Sequence, residues 1–198
     1  MKFALAAMVA SLFVASQSWA YQPRTGDIVF HTSTSAQSAA IQAATHSAYS
    51  HVGVVVHDLG SPKVLEAVEP VKLTSLQAWL KRGKGQHYVI KRLKQPLAAS
   101  AAAQMELDAK RFIGKPYDLT FEWSDDRIYC SELVWKLYKG SAGIELAPLS
   151  QLKSFDLTSP AVRSKLKERY GSQIPLDEPV VPPSALFDSP LLETVAER

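Results

Sequence analysis

One cysteine, five histidines and a scatter of carboxylates are the side chains of this protein best suited to nucleophilic and acid–base chemistry. The cysteine, Cys130, stands in the stretch YCSELVWKLY (129–138), where Leu133, Trp135, Leu137 and Tyr138 make an apolar helical face. A thiol in the first turn of a helix lies beside backbone N–H groups that have no partner within the helix, and these favour the thiolate. The same donors can hold an oxyanion after the thiolate attacks a carbonyl. Glu132, one turn in, opposes the negative sulfur, so a nearby cation is required. Composition alone leaves a second reading open, an inert cysteine packed into a core.

An imidazole could be that cation. His57 and His87 sit at polar strand ends and read as surface. His31 closes the first strand, and His46 closes a helix whose dipole favours positive charge. His51 opens the valine-rich run YSHVGVV, with Gly53 two residues on marking close approach of other backbone. Position alone leaves His31, His46 and His51 open. A third group is needed to hold the imidazole tautomer. Glu66, in VLEAV, is a carboxylate among apolar neighbours and needs a partner. That partner could equally be a histidine or a Lys or Arg. Glu69, three positions on, falls on the other face of a regular strand, so the two cannot both face one histidine. No H-E-x-x-H or similar zinc spacing occurs, and no metal or other cofactor is expected.

The elements that must position these groups follow from periodicity. DIVFHT (27–32), HVGVVVHD (51–58), KVLEAVE (63–69) and HYVIKRL (87–93) read as strands, the middle two as a hairpin across the turn signal LGSP. SAQSAAIQAATHS (35–47), TSLQAWLKRG (74–83), 97–114, the cysteine helix to about Ser141, and 160–171 read as helices. Ser33 or Ser35 can cap the first. PYDLTFEWSDDR (116–127) is an irregular connection. The proline-rich segment 174–190 cannot serve as a central strand and is expected to wrap the surface. The pattern predicts an α+β domain with a small, mainly antiparallel sheet.

Residues 1–20 read as a cleavable signal peptide: Lys2, an apolar run from Phe3 to Ala15, and Ser18-Trp19-Ala20 at the cleavage site. The run is too short to span a bilayer. Residues 21–198 then form a single domain, periplasmic or secreted, with no stable membrane anchor. One cysteine cannot make an internal disulfide, so packing must hold the fold. The formal charge of +3 is too weak a basic bias for a nucleic-acid binder. The clusters KRGKGQ (81–86) and KRLK (91–94) read as solvated surface.

GKPYD (114–118) followed by YCSELV (129–134) resembles the G-x-P-Y … C-S-x-L-V pattern of NlpC-type papain-like cysteine hydrolases. The histidine in SHVG and the glutamate in LEA precede the cysteine, an order that resembles the circularly permuted YiiX/YebB branch. TGDIVF, ATHSAYSHVGVVV, VLEAV, GKPYDLTFEWSDDRIYCSELVWKLY and VVPPSALFDSP resemble segments of that group in order, over essentially all of residues 21–198. The resemblance implies a circularly permuted papain-like fold, with an antiparallel sheet packed against the cysteine-bearing helix. It implies Cys130 as nucleophile, His51 as general base and then acid, and Glu66 as the orienting residue. Tyr117 is expected to line the cleft or support the oxyanion, or else to be a packing aromatic. The expected activity is a thiol amidase or peptidase acting through an acyl-enzyme on a peptide-like substrate of the cell envelope. The alternatives are a lipid-directed acyltransferase or thioesterase with the same triad, Trp79, Trp123 and Trp135 bordering a lipid groove, and a silent binding module.

Overall fold

The computed structural model describes residues 21–198; the expected signal peptide lies outside them. In chain order the elements are β1 (Ile28–His31), α1 (Ala36–Thr45), β2 (His51–Asp58), β3 (Ser61–Glu66), β4 (Lys72–Ser75), α2 (Leu76–Leu80), β5 (Val89–Leu93) and α3 (Ala99–Phe112). Then come α4 (Cys130–Ala142), β6 (Ser150–Gln151), α5 (Pro160–Tyr170), β7 (Pro179–Val180), α6 (Pro183–Phe187) and β8 (Leu192–Glu197). Six strands form one sheet in the order β4-β3-β2-β1-β5-β8, antiparallel throughout.

The hairpin between β2 and β3 turns on Leu59 and Gly60, both at positive φ (48° and 77°). Two such residues between the paired Asp58 and Ser61 make the mirror-image turn whose twist suits a tight hairpin. Alternation then sorts β2. Val52, Val54 and Val56 enter the core beneath α3 and α4 with Phe30, Met105, Leu133 and Leu137. Val55 lies on the other face with Val64, Leu76 and Trp79. Both sheet faces are therefore covered, which accounts for the nearly unbroken valine run. A third apolar cluster joins Ala40 of α1 to Val162 and Leu166 of α5.

Three expectations change. The segment read as a helix from Thr74 is strand through Ser75, and only Leu76–Leu80 is helical. β3 ends at Glu66, so Glu69 lies beyond the strand rather than on its opposite face. The C-terminal segment is more than a surface wrap. Val181 and Leu186 are fully buried, and β8 completes the sheet beside β5. The prolines do keep 174–190 out of the main sheet, since β7 pairs only with the two-residue β6. The alternating LETVAE that follows them supplies the edge strand.

Candidate active site

Cys130 is the first residue of α4 and is 2% exposed. The connection before it is pinned on both sides. Asp118 N donates to Ile128 O and Ile128 N to Pro116 O, each at 3.2 Å. Tyr129 caps the helix, its backbone N–H donating to Glu132 Oε2 at 3.3 Å and its phenol accepting from Val181 N at 3.1 Å. The C-terminal segment thus helps hold the start of the cysteine helix. Burial pushes the Glu132 carboxyl up to about 7, against the pull of Lys136, whose Nζ lies 2.9 Å away. The opposition to a thiolate expected from Glu132 is weakened by both effects.

His51 is the first residue of β2. It and Glu66, the last residue of β3, lie on the Trp79 face of the sheet, whereas α4 packs on the other. The groups meet because Cys130 and His51 both begin their elements, at the rim of the sheet. Two neighbours favour the protonated His51 imidazole, the Cys130 side chain and Glu66. Nε2 lies 3.0 Å from Glu66 Oε2. Burial lowers the basicity of His51, but these two partners outweigh it and raise its pKa to about 9.

Glu66 has no solvent exposure. Its Oε2 also accepts from Trp79 Nε1 at 3.0 Å and from the Arg82 guanidinium, and its Oε1 accepts from Thr74 Oγ1 at 2.5 Å. Burial alone would raise this carboxyl; His51 and Arg82 overturn that and bring it down to about 2. Both partners left open by the sequence, a histidine and an arginine, are present together. Gly53 makes this packing fit: a Cβ there would lie 2.5 Å from Val64 Cγ1 and 2.9 Å from the Leu65 carbonyl oxygen.

The other histidines separate cleanly. His46 caps α1 and pairs with Asp156 at 3.5 Å. His57 Nδ1 lies 2.9 Å from Thr25 Oγ1, and His87 contacts the Arg198 carbonyl. His31 neighbours His51 across β1 and β2, with ring centroids 5.2 Å apart. It stacks on Trp79 at 4.2 Å. Burial, then the charges of His51 and Arg82, lower its pKa to about 3, so it is a neutral wall.

Tyr117 sits at the start of the pinned connection. Its backbone N–H donates to Glu69 Oε2 at 2.8 Å, and its phenol oxygen accepts from Gln37 Nε2 at 2.8 Å. Burial raises the phenol above its ordinary range, with the Cys130 sulfur as the next contribution. With Gln37 filling an acceptor position, the O–H is free to donate. His51, Glu69, Arg82 and Tyr117 line a polar cleft of about 550 Å³, together with Ser33 and Ser35.

Arg82, Trp79 and Thr74 went unrecognised in the sequence. The need of Glu66 for a cation was the available signal, but KRGKGQ read as surface. Arg92 of KRLK is also a structural residue: its Nε donates to the buried Asp27 Oδ1 at 2.6 Å. Trp123 and Trp135 pack edge to face at 5.4 Å, and Trp79 lies under the histidines, so the three tryptophans border no common groove.

A family model described as "Permuted papain-like amidase enzyme, YaeF/YiiX, C92 family" matches residues 22–196. The chain is 50% identical over 191 residues to "Uncharacterized protein YiiX" of Escherichia coli (strain K12), across 96% of this chain and 95% of that one. It is similar to the crystal structure of "metalloprotein yiiX" from Escherichia coli O157:H7, with a TM-score of 0.87 and 51% identity over 90% of this chain and 99% of that chain. The metal is part of that protein's description; among the described residues here, no group of three or more His, Cys, Asp and Glu could hold a metal ion. The order of these elements, with His51 and Glu66 on strands that precede the cysteine helix, is that of a permuted papain-like fold, and the chain belongs to the permuted papain-like amidase family of YaeF and YiiX.

Proposed function

We propose that this protein is an exported cysteine amidase working through Cys130, His51 and Glu66. The observation that carries the reading is the imidazole of His51 with the Cys130 side chain and the buried Glu66 carboxylate as its neighbours. His51 takes the thiol proton, and the sulfur attacks the carbonyl carbon of an amide. The N–H groups in the first turn of α4 and the Tyr117 hydroxyl receive the oxyanion. Collapse breaks the C–N bond, and the imidazolium delivers its proton to the leaving nitrogen. Water, deprotonated by His51, then cleaves the thioester and restores the thiol. Glu66 stays ionised and orients the imidazole. Arg82, Trp79 and Thr74 position Glu66 and touch no reacting atom.

The test is alkylation of the folded protein by iodoacetamide, read by mass spectrometry, alongside hydrolysis of an amide panel. Cys130 is expected to be modified rapidly and Cys130→Ser to lose hydrolysis. Full activity in Cys130→Ser, or a thiol inert until the chain is unfolded, would overturn the proposal.

A further inference from the structure

Two cavities flank the candidate site and share Gln37 and Ile41, and they differ in chemistry. The polar cleft contains His51. The second cavity, of about 100 Å³, contains Cys130 and runs between α1 and α5, lined by Ala40, Ala44, Leu157, Val162, Leu166 and Val181. Its two charged residues are engaged elsewhere: Lys165 Nζ donates to Glu168 at 2.6 Å, and the Arg169 guanidinium lies 4.8 Å over the Phe121 ring. Gln37 and Ile41 belong to both cavities. The Gln37–Tyr117 hydrogen bond therefore stands at their boundary.

This division sets the polarity of the substrate. An acyl-enzyme carries its acyl carbon on Sγ, so the acyl group rests on the Cys130 side. The leaving group takes its proton from His51 and departs on the polar side. We infer that the apolar cavity between α1 and α5 is the acyl-chain site, and that the substrate class is a short aliphatic acyl group on a polar amine or alcohol. This rests on the proposed thiol chemistry. A peptide on the acyl side would bring backbone N–H and C=O groups against a lining with almost nothing to bond them, and buried unpaired polar groups are costly. The size also limits the chain. A cavity of about 150 Å³ accepts benzene, so this smaller one suits a slimmer chain of a few carbons.

The experiment uses 4-nitrophenyl esters of acetyl, butyryl, hexanoyl and dodecanoyl acids, with an N-acetylglycyl ester as the peptide-like arm. For wild type, kcat/KM is expected to rise by about fourfold per methylene, the value of burying one CH2, until the cavity is full, and to fall by dodecanoyl. Ala44→Phe, which fills the cavity, should collapse the hexanoyl-to-acetyl ratio, and Leu166→Ala should move the optimum to a longer chain. Cys130-dependent turnover with a flat length profile, or with the N-acetylglycyl ester preferred over hexanoyl, overturns this inference and leaves the thiol mechanism standing. Turnover equal in wild type and Cys130→Ala overturns both.

Discussion

At the scale of single residues, the candidate site gathers a thiol, an imidazole, a carboxylate and a guanidinium. Glu66 is the pivot, because a buried carboxylate stays ionised only while cations and donors surround it. His51⁺ and Arg82 do so from two directions. With the His51 pKa near 9, the imidazolium that the proposed mechanism uses to protonate a leaving group is present below that pH and lost above it. The kcat/KM profile is therefore expected to fall on its basic side around pH 9. Glu66→Gln keeps the volume and removes the charge. It should move that basic limb to lower pH and reduce kcat by roughly 10²–10⁴, as when the carboxylate of a triad is neutralised. Paired pH–rate profiles check both. A basic limb unmoved in Glu66→Gln would show that the carboxylate does not govern His51.

At the scale of elements, the close approach of β2 and β3 brings Glu66 to His51, and Gly53 permits it. An alanine there would drive its Cβ into the Val64 side chain and the Leu65 carbonyl, and backbone cannot yield as a flexible side chain can. Gly53→Ala is expected to cost about 1–3 kcal/mol in denaturant melts, in the range of overpacked cores. The cysteine helix carries its own pH signature. Burial raises the folded-state pKa of Glu132 to about 7, so the folded chain keeps a proton that the unfolded chain releases near the ordinary carboxylate value of about 4.3. The stability contributed by this group is full below that value and is lost as the pH rises to about 7. The depressed Glu66 acts in the opposite sense but lower, losing its contribution only as the pH falls toward about 2. His31, held near 3, contributes in the opposite sense over the same range, so the difference is what tests Glu132: between pH 4.5 and 7 the wild-type denaturation midpoint is expected to fall relative to that of Glu132→Gln. Equal slopes would remove Glu132 as the source.

At the scale of the whole molecule, permutation assigns the tasks. The strands carrying His51 and Glu66 come first, the cysteine helix follows, and the C-terminal segment returns to cap it through Val181 and to close the sheet with β8. α1 and α5, distant in the chain, together wall the apolar cavity beside the sulfur. The remaining expectation concerns residues 1–20. Cleavage after Ala20 predicts that the exported protein begins at Tyr21, and N-terminal sequencing of an envelope fraction checks it. A chain retaining Met1 there would show that the segment is not removed.

The sequence by itself determined the α+β class, the strand and helix order up to the cysteine helix apart from β4, and the placement of Cys130 at a helix start. Those follow from local periodicity and capping, which act over a few residues. Resemblance to the permuted family singled out His51 and Glu66, which position alone had left among alternatives. Only the tertiary structure decided that His51 pairs with Glu66 while His31, one strand away, stays neutral against Trp79. Only it showed that an arginine in a surface-like run completes the carboxylate's shell, and that the segment after the prolines closes the sheet. The physical reason is common to all three. Strand register and the packing of distant segments choose which side chains share a buried space, and a charge tolerates burial only beside partners that no local pattern can name.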